Sequence, residues 1–151
     1  MELISKATRR AFEQHLVENG VLRQIHELFD DAGIPQAAIP ADRLPGGQRR
    51  ALITQYYASV DWTSHADVRK VLRVFERILC GAAPGPFAQE PSDAFQKLTG
   101  ALLRDGFAFE GTGADGHIVS RTGVDLAHVA AATDLVDRAT LRDQIRRIEQ
   151  S

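Results

Sequence analysis

Six residues, Gly111-Thr112-Gly113-Ala114-Asp115-Gly116, match the glycine pattern that lets a backbone approach a pyrophosphate at the N-terminus of a helix. Their setting does not suit that chemistry. The segment Phe107–Glu110 ahead of them alternates like a strand and His117-Ile118-Val119 behind them runs back as a second one, so no helix dipole is aimed at a phosphate. A hairpin turn, in which glycines supply positive φ angles, is the plainer reading. Metal chemistry has less support still. His65-Ala66-Asp67 and His26-Glu27 stand isolated, no H-E-x-x-H occurs, and the single cysteine, Cys80, cannot complete a soft site. No serine sits on a G-x-S-x-G elbow, and Cys80 closes an apolar helical stripe, where a buried thiol is unreactive. The residues therefore call for no metal and no cofactor.

Arginine followed after four to six residues by histidine is the spacing used by ribonucleases of the HEPN type, where a basic pair stabilises a phosphorane and moves protons. Arg10 with His15 and Arg121 with His128 fit it, but in a chain with fifteen arginines and five histidines about one or two such pairs arise by chance. Ala11 also occupies the position of the polar residue that usually follows the arginine. Arg10 and His15 are thus the catalytic candidates, with the balance against an enzyme. Arginines recur on single helix faces as well, at Arg69, Arg73 and Arg77 and again at Arg138, Arg142 and Arg146. The first row suits an acidic protein partner and the second a phosphate backbone. Solvated faces are the bland alternative, since Asp134 precedes Arg138 and Asp143 precedes Arg147 at the four-residue spacing of intrahelical ion pairs. Tyr56-Tyr57 followed by Trp62 is the densest aromatic cluster. Adjacent helical residues point about 100° apart, so at most one tyrosine joins the core stripe. Packing is the plainer role for this corner, and partner contact through Tyr57 and Trp62 the sharper one.

The elements that must position these residues are set by prolines and apolar spacing. All six prolines fall in two windows, Pro35-Pro40-Pro45 and Pro84-Pro86-Pro91, which read as connections because proline breaks helix interiors. Residues 1–82 form a helical region. It holds a helix pair over 5–33, broken at Asn19-Gly20 and stopped by Gly33, and a second pair over 47–80, broken at Asp61-Trp62-Thr63 and stopped by Gly81. Ser64 and Asp67 resemble a capping box ahead of the stripe Val68, Val71, Leu72, Phe75, Ile78, Leu79, with Trp62 placed to pack as a staple on its first turn. Residues 83–91 are a proline-rich linker. Residues 92–151 read as a helix from about Ser92 with Gly106 at its C-cap, the β-hairpin, a short helix around 124–131 and a last helix from about Arg138. The predicted fold is mainly α (α+β), a helical bundle followed by a winged-like helix–hairpin–helix segment.

Composition bounds these readings. A chain of 151 residues is one domain or two small ones, and 44% hydrophobic with 25% charged residues is ordinary for a folded chain. A formal net charge of −2 excludes a strongly basic nucleic-acid binder as the first expectation. The first residues lack the layout of a secretory signal, and no apolar run approaches the roughly 18 residues that span a bilayer. With one cysteine and hence no internal disulfide, a soluble cytoplasmic protein without membrane contact is expected.

Two stretches carry a family likeness. Gln48-Arg49-Arg50 through Tyr56-Tyr57-Ala58-Ser59-Val60-Asp61-Trp62-Thr63, with Asp67-Val68-Arg69-Lys70-Val71-Leu72-Arg73-Val74-Phe75-Glu76, resembles bacterial abortive-infection proteins, which act in anti-phage defence. Leu102-Leu103-Arg104-Asp105-Gly106-Phe107, Ile118-Val119 and Leu141-Arg142-Asp143-Gln144-Ile145-Arg146-Arg147-Ile148-Glu149 resemble the segment leading into that family's C-terminal domain. The resemblance implies an N-terminal helical region without the HEPN-like domain that carries nuclease activity. It implies a non-catalytic sensor, regulatory or protein-interaction module of a phage-defence system, acting with a protein partner or a fused or adjacent effector, and an oligomer is compatible with it. A nucleic-acid-binding winged module is the second reading and a weak HEPN-like ribonuclease the third.

Overall fold

The computed structural model describes residues 1–84, 90–111 and 113–120. Among these are five α-helices, α1 (Lys6–Asn19), α2 (Leu22–Asp31), α3 (Gln48–Ala58), α4 (His65–Ala82) and α5 (Asp93–Arg104), followed by a hairpin of β1 (Phe107–Glu110) and β2 (His117–Ser120). Both helix pairs and the hairpin stand where the apolar spacing puts them, and the protein is mainly helical with a small antiparallel sheet. The helices expected over 124–131 and from Arg138, and with them Arg138, Arg142, Arg146 and the Arg121–His128 pair, lie outside the described residues.

Local chemistry fixes the helix ends. Ser5, Ser64 and Ser92 cap α1, α4 and α5, each side-chain oxygen accepting from the backbone N–H three residues on. Helix α2 closes in a Schellman turn, with Gly33 at φ +80° and the Ile34 N–H donating to the Phe29 carbonyl. Two expectations change in detail. Helix α4 continues through Gly81 to Ala82, because Gly81 needs no left-handed backbone and the stop comes from Pro84, which holds Ala83 extended at φ −63°, ψ 148°. The capping box is half formed: Ser64 accepts from Asp67 N, but the Asp67 carboxylate accepts from Asp61 N at 2.8 Å instead of returning to the cap.

Helix α4 is the central element, burying Val68, Val71, Leu72, Val74, Phe75, Ile78 and Leu79. A helix apolar over this much of its circumference must be covered on several sides, and α2, α5 and the hairpin all pack on it. Phe12 of α1 stacks on Phe75, ring centroids 3.9 Å apart. Residues from both sides of the proline-rich linker share one core, in which Leu98, Leu102 and Phe107 join Phe12, Phe29 and Phe75. A polar tie reinforces that union. The Asp105 carboxylate accepts from Ser5 N at 2.8 Å and Ser5 Oγ at 3.1 Å, and buried Thr8 donates to the Ala101 carbonyl. The glycine-rich sextet is the hairpin connection. Gly111 has φ +96°, and Gly116 lies so close under Phe109 that a Cβ there would stand 2.0 Å from the ring.

Candidate functional site

A cleft of about 420 Å³ opens between the C-terminal half of α1, helix α2, the last turns of α4 and the start of α5. Leu16, Leu28 and Ile78 supply its apolar surface, and His15, Asn19, Gln24, Arg77 and Ser92 its polar groups. The Asn19-Gly20 break creates one wall by letting α2 fold back on α1. Gly20 is needed at this turn because a Cβ would meet the Leu16 carbonyl at 2.9 Å. Arg49 of α3 braces the turn by donating to the carbonyls of Val17 and Gly20, which the end of a helix leaves unsatisfied. Asn19 donates to the His15 carbonyl at 3.0 Å and lies 3.4 Å from its Nδ1. Burial lowers the His15 pKa, with Glu18 pulling weakly the other way, so the imidazole is neutral near pH 7. Arg77 is paired with Asp31 at 3.0 Å, both side chains about half exposed or more.

Arg10 does not join His15 here. Five residues along α1 turn the two about 140° apart, and Arg10 is exposed while His15 lines the cleft. The cation brought to the cleft is Arg77, from α4, a meeting no local spacing announces.

Arg69, Arg73 and Arg77 run along α4 at steps of about 6 Å. On one flank Lys70 Nζ reaches the Gly33 carbonyl after α2, and on the other Glu76 accepts from Ile118 N in β2 at 3.4 Å. Arg73 is exposed and makes no hydrogen bond or ion pair among the described residues. Arg69 is half-buried and its Nε, shielded from water, has no hydrogen-bond partner there. Cys80, further along this face, donates to the Gly116 carbonyl. Its thiol pKa is raised by burial and by the charge of Glu76, so the reactive thiolate is disfavoured.

The Tyr57–Trp62 corner is engaged internally. The Tyr57 hydroxyl donates to the Arg9 carbonyl at 3.0 Å, and its ring meets Trp62 edge-on with centroids 5.3 Å apart. The Arg9 guanidinium stacks 4.1 Å from the Trp62 centroid while donating to the Ile4 carbonyl and pairing with Glu2. The Trp62 ring thus lies against α1 and α3. Burial pushes the Tyr57 hydroxyl far above its ordinary pKa. Its neighbour Tyr56, 1% exposed, donates to Asp30 at 2.9 Å, which leaves its oxygen to accept from His26 Nδ1 at 2.8 Å. Burial first, then the Asp30 bond and charge, push its pKa up to about 12. Arg49 and Asp105 carry no local sequence signal because their partners, Val17, Gly20 and Ser5, are brought to them only by the fold, as Trp62 is to Arg9.

Among the described residues no three His, Cys, Asp or Glu side chains cluster to hold a metal, and no helix is long and apolar enough to cross a membrane. No family model, curated protein or solved structure matches the chain.

Proposed function

We propose that this chain is a non-catalytic interaction module whose α4 arginine row binds an acidic face of a protein partner. The observation that carries this reading is the state of the row. Among the described residues Arg73 has no partner and Arg69 keeps a shielded Nε without an acceptor, whereas the aromatic corner is committed to packing. The exposed Arg73 guanidinium can make charge-assisted bonds to a partner carboxylate, which are about twice as strong as neutral ones. With a net charge of −2 the row is a local feature rather than part of a basic molecule, which favours an acidic protein face over nucleic acid.

The resemblance to abortive-infection proteins suggests the setting: a cytoplasmic sensor or regulator in phage defence, working on a fused or adjacent effector. The test uses the chain as bait in bacteria with and without phage, beside an Arg73→Glu bait. The wild type recovers a partner that Arg73→Glu loses, with unchanged thermal melting. Equal recovery by both baits, or by neither, overturns the reading. RNA binding by the pure protein that weakens with salt and with Arg73→Glu reassigns the row to phosphates.

A further inference from the structure

We propose that the cleft between α1, α2, α4 and α5 binds a small organic acid, with its carboxylate on Arg77 and its apolar body against Leu16, Leu28 and Ile78. The volume of about 420 Å³ lies within the roughly 300–1,000 Å³ of small-molecule sites, and an apolar surface with a few convergent polar groups is their usual make-up. The charge of the lining sets the ligand's sign. Among the described residues Arg77 is the one cation that lines the cleft and no Asp or Glu lines it, while Gln24, Asn19 and Ser92 add uncharged donors. Burial keeps His15 neutral, so a single guanidinium faces the ligand and matches one negative charge; its planar fork fits a carboxylate in two-point contact.

The nearest acids do not fill this role. Glu18 acts on His15 from outside the lining, Asp93 lies in the first turn of α5, and the exposed Asp31 holds Arg77 by a water-screened ion pair, weak enough for a ligand carboxylate to share or displace it. Gly81 marks the open side: among the described residues a Cβ built there meets nothing within 4 Å. The cleft shares Arg77 with the α4 row, while Arg69 and Arg73, which carry the proposed partner contact, do not line it.

The probes are anilinonaphthalene sulfonate, an aromatic monoanion, and its uncharged counterpart phenylnaphthylamine, both followed by fluorescence on the whole chain. The sulfonate binds saturably at one site and is displaced by octanoate but not by octanol. Arg77→Ala weakens the sulfonate by about tenfold and the uncharged probe by less than about twofold, as loss of one charge-assisted contact requires. Gly81→Leu, which fills the opening from a helical position, removes both. Amide shifts of Asn19, Gly81 and Ala94 on titrating the sulfonate into the unaltered protein give a second measurement independent of any variant. Unsaturable binding, equal weakening of both probes by Arg77→Ala, failure of octanoate to compete, or shifts confined to other residues overturns the proposal.

Discussion

Raising the pH tests the aromatic corner directly, because Tyr56 and Tyr57 are the chain's two tyrosines and both hydroxyls are held in the protonated form. A free phenol ionises near pH 10.0, whereas Tyr56 in the folded protein ionises at about 12. Between those values the unfolded chain has released a proton that the folded chain retains. Stability is therefore intact below the lower pH and falls as pH rises. Each pH step of one costs about 1.4 kcal/mol, so Tyr56 alone removes roughly 3 kcal/mol across the window. Tyr57 acts in the same direction, through burial and the Glu13 charge with Arg9 opposing. Against a typical stability of about 5–15 kcal/mol this suffices to bring unfolding into the alkaline range. Tyrosinate absorbance and far-ultraviolet circular dichroism, recorded on the same samples, should change together in one cooperative step above pH 10.0. A tyrosinate signal equivalent to one residue, with a midpoint near pH 10.0 and native dichroism, would instead place the Tyr57 hydroxyl at the surface as a contact group.

Asp105→Ala removes the acceptor for both Ser5 N and Ser5 Oγ and is expected to cost about 2 kcal/mol in urea unfolding; a loss below about 0.5 kcal/mol would mean the tie between the N-terminus and α5 carries nothing. Gly116→Ala drives a methyl into the Phe109 ring and should destabilise by about 1–3 kcal/mol, whereas Gly81→Ala enters open space on a helix and should stabilise by up to about 1 kcal/mol. Thermal melts that order the two variants the other way would show that the packing around Gly116 yields freely. Ser64→Ala should cost about 1 kcal/mol by uncapping α4, measured by the same melts; an unchanged midpoint would mean the cap is idle.

The helices were legible because what makes them is local. Apolar residues three and four apart, serine caps and prolines act within a turn or two, and α4 needed nothing distant to be recognised. Where two local signals competed, the sequence alone did not choose between them: Gly81 read as a stop, but glycine tolerates a helical backbone and Pro84 forbids one to its predecessor. Asp67 had the spacing to close a capping box, yet the chain's path through Asp61 offered its carboxylate a nearer donor.

The site followed the opposite rule. Sequence paired His15 with Arg10, five residues away, and helical geometry divides that pair, while the fold sets His15 and Arg77 on the walls of one cleft that exists only once α1, α2, α4 and α5 are packed. Local spacing along the chain was enough for the five described helices, the hairpin role of the glycine sextet and the alignment of Arg69, Arg73 and Arg77 on one helix face. The tertiary structure alone decided which of these groups remain available. It buried the Tyr57 hydroxyl on the Arg9 carbonyl and, among the described residues, left Arg73 exposed, because burial and hydrogen-bond satisfaction depend on which surfaces meet and not on the spacing of residues along the chain.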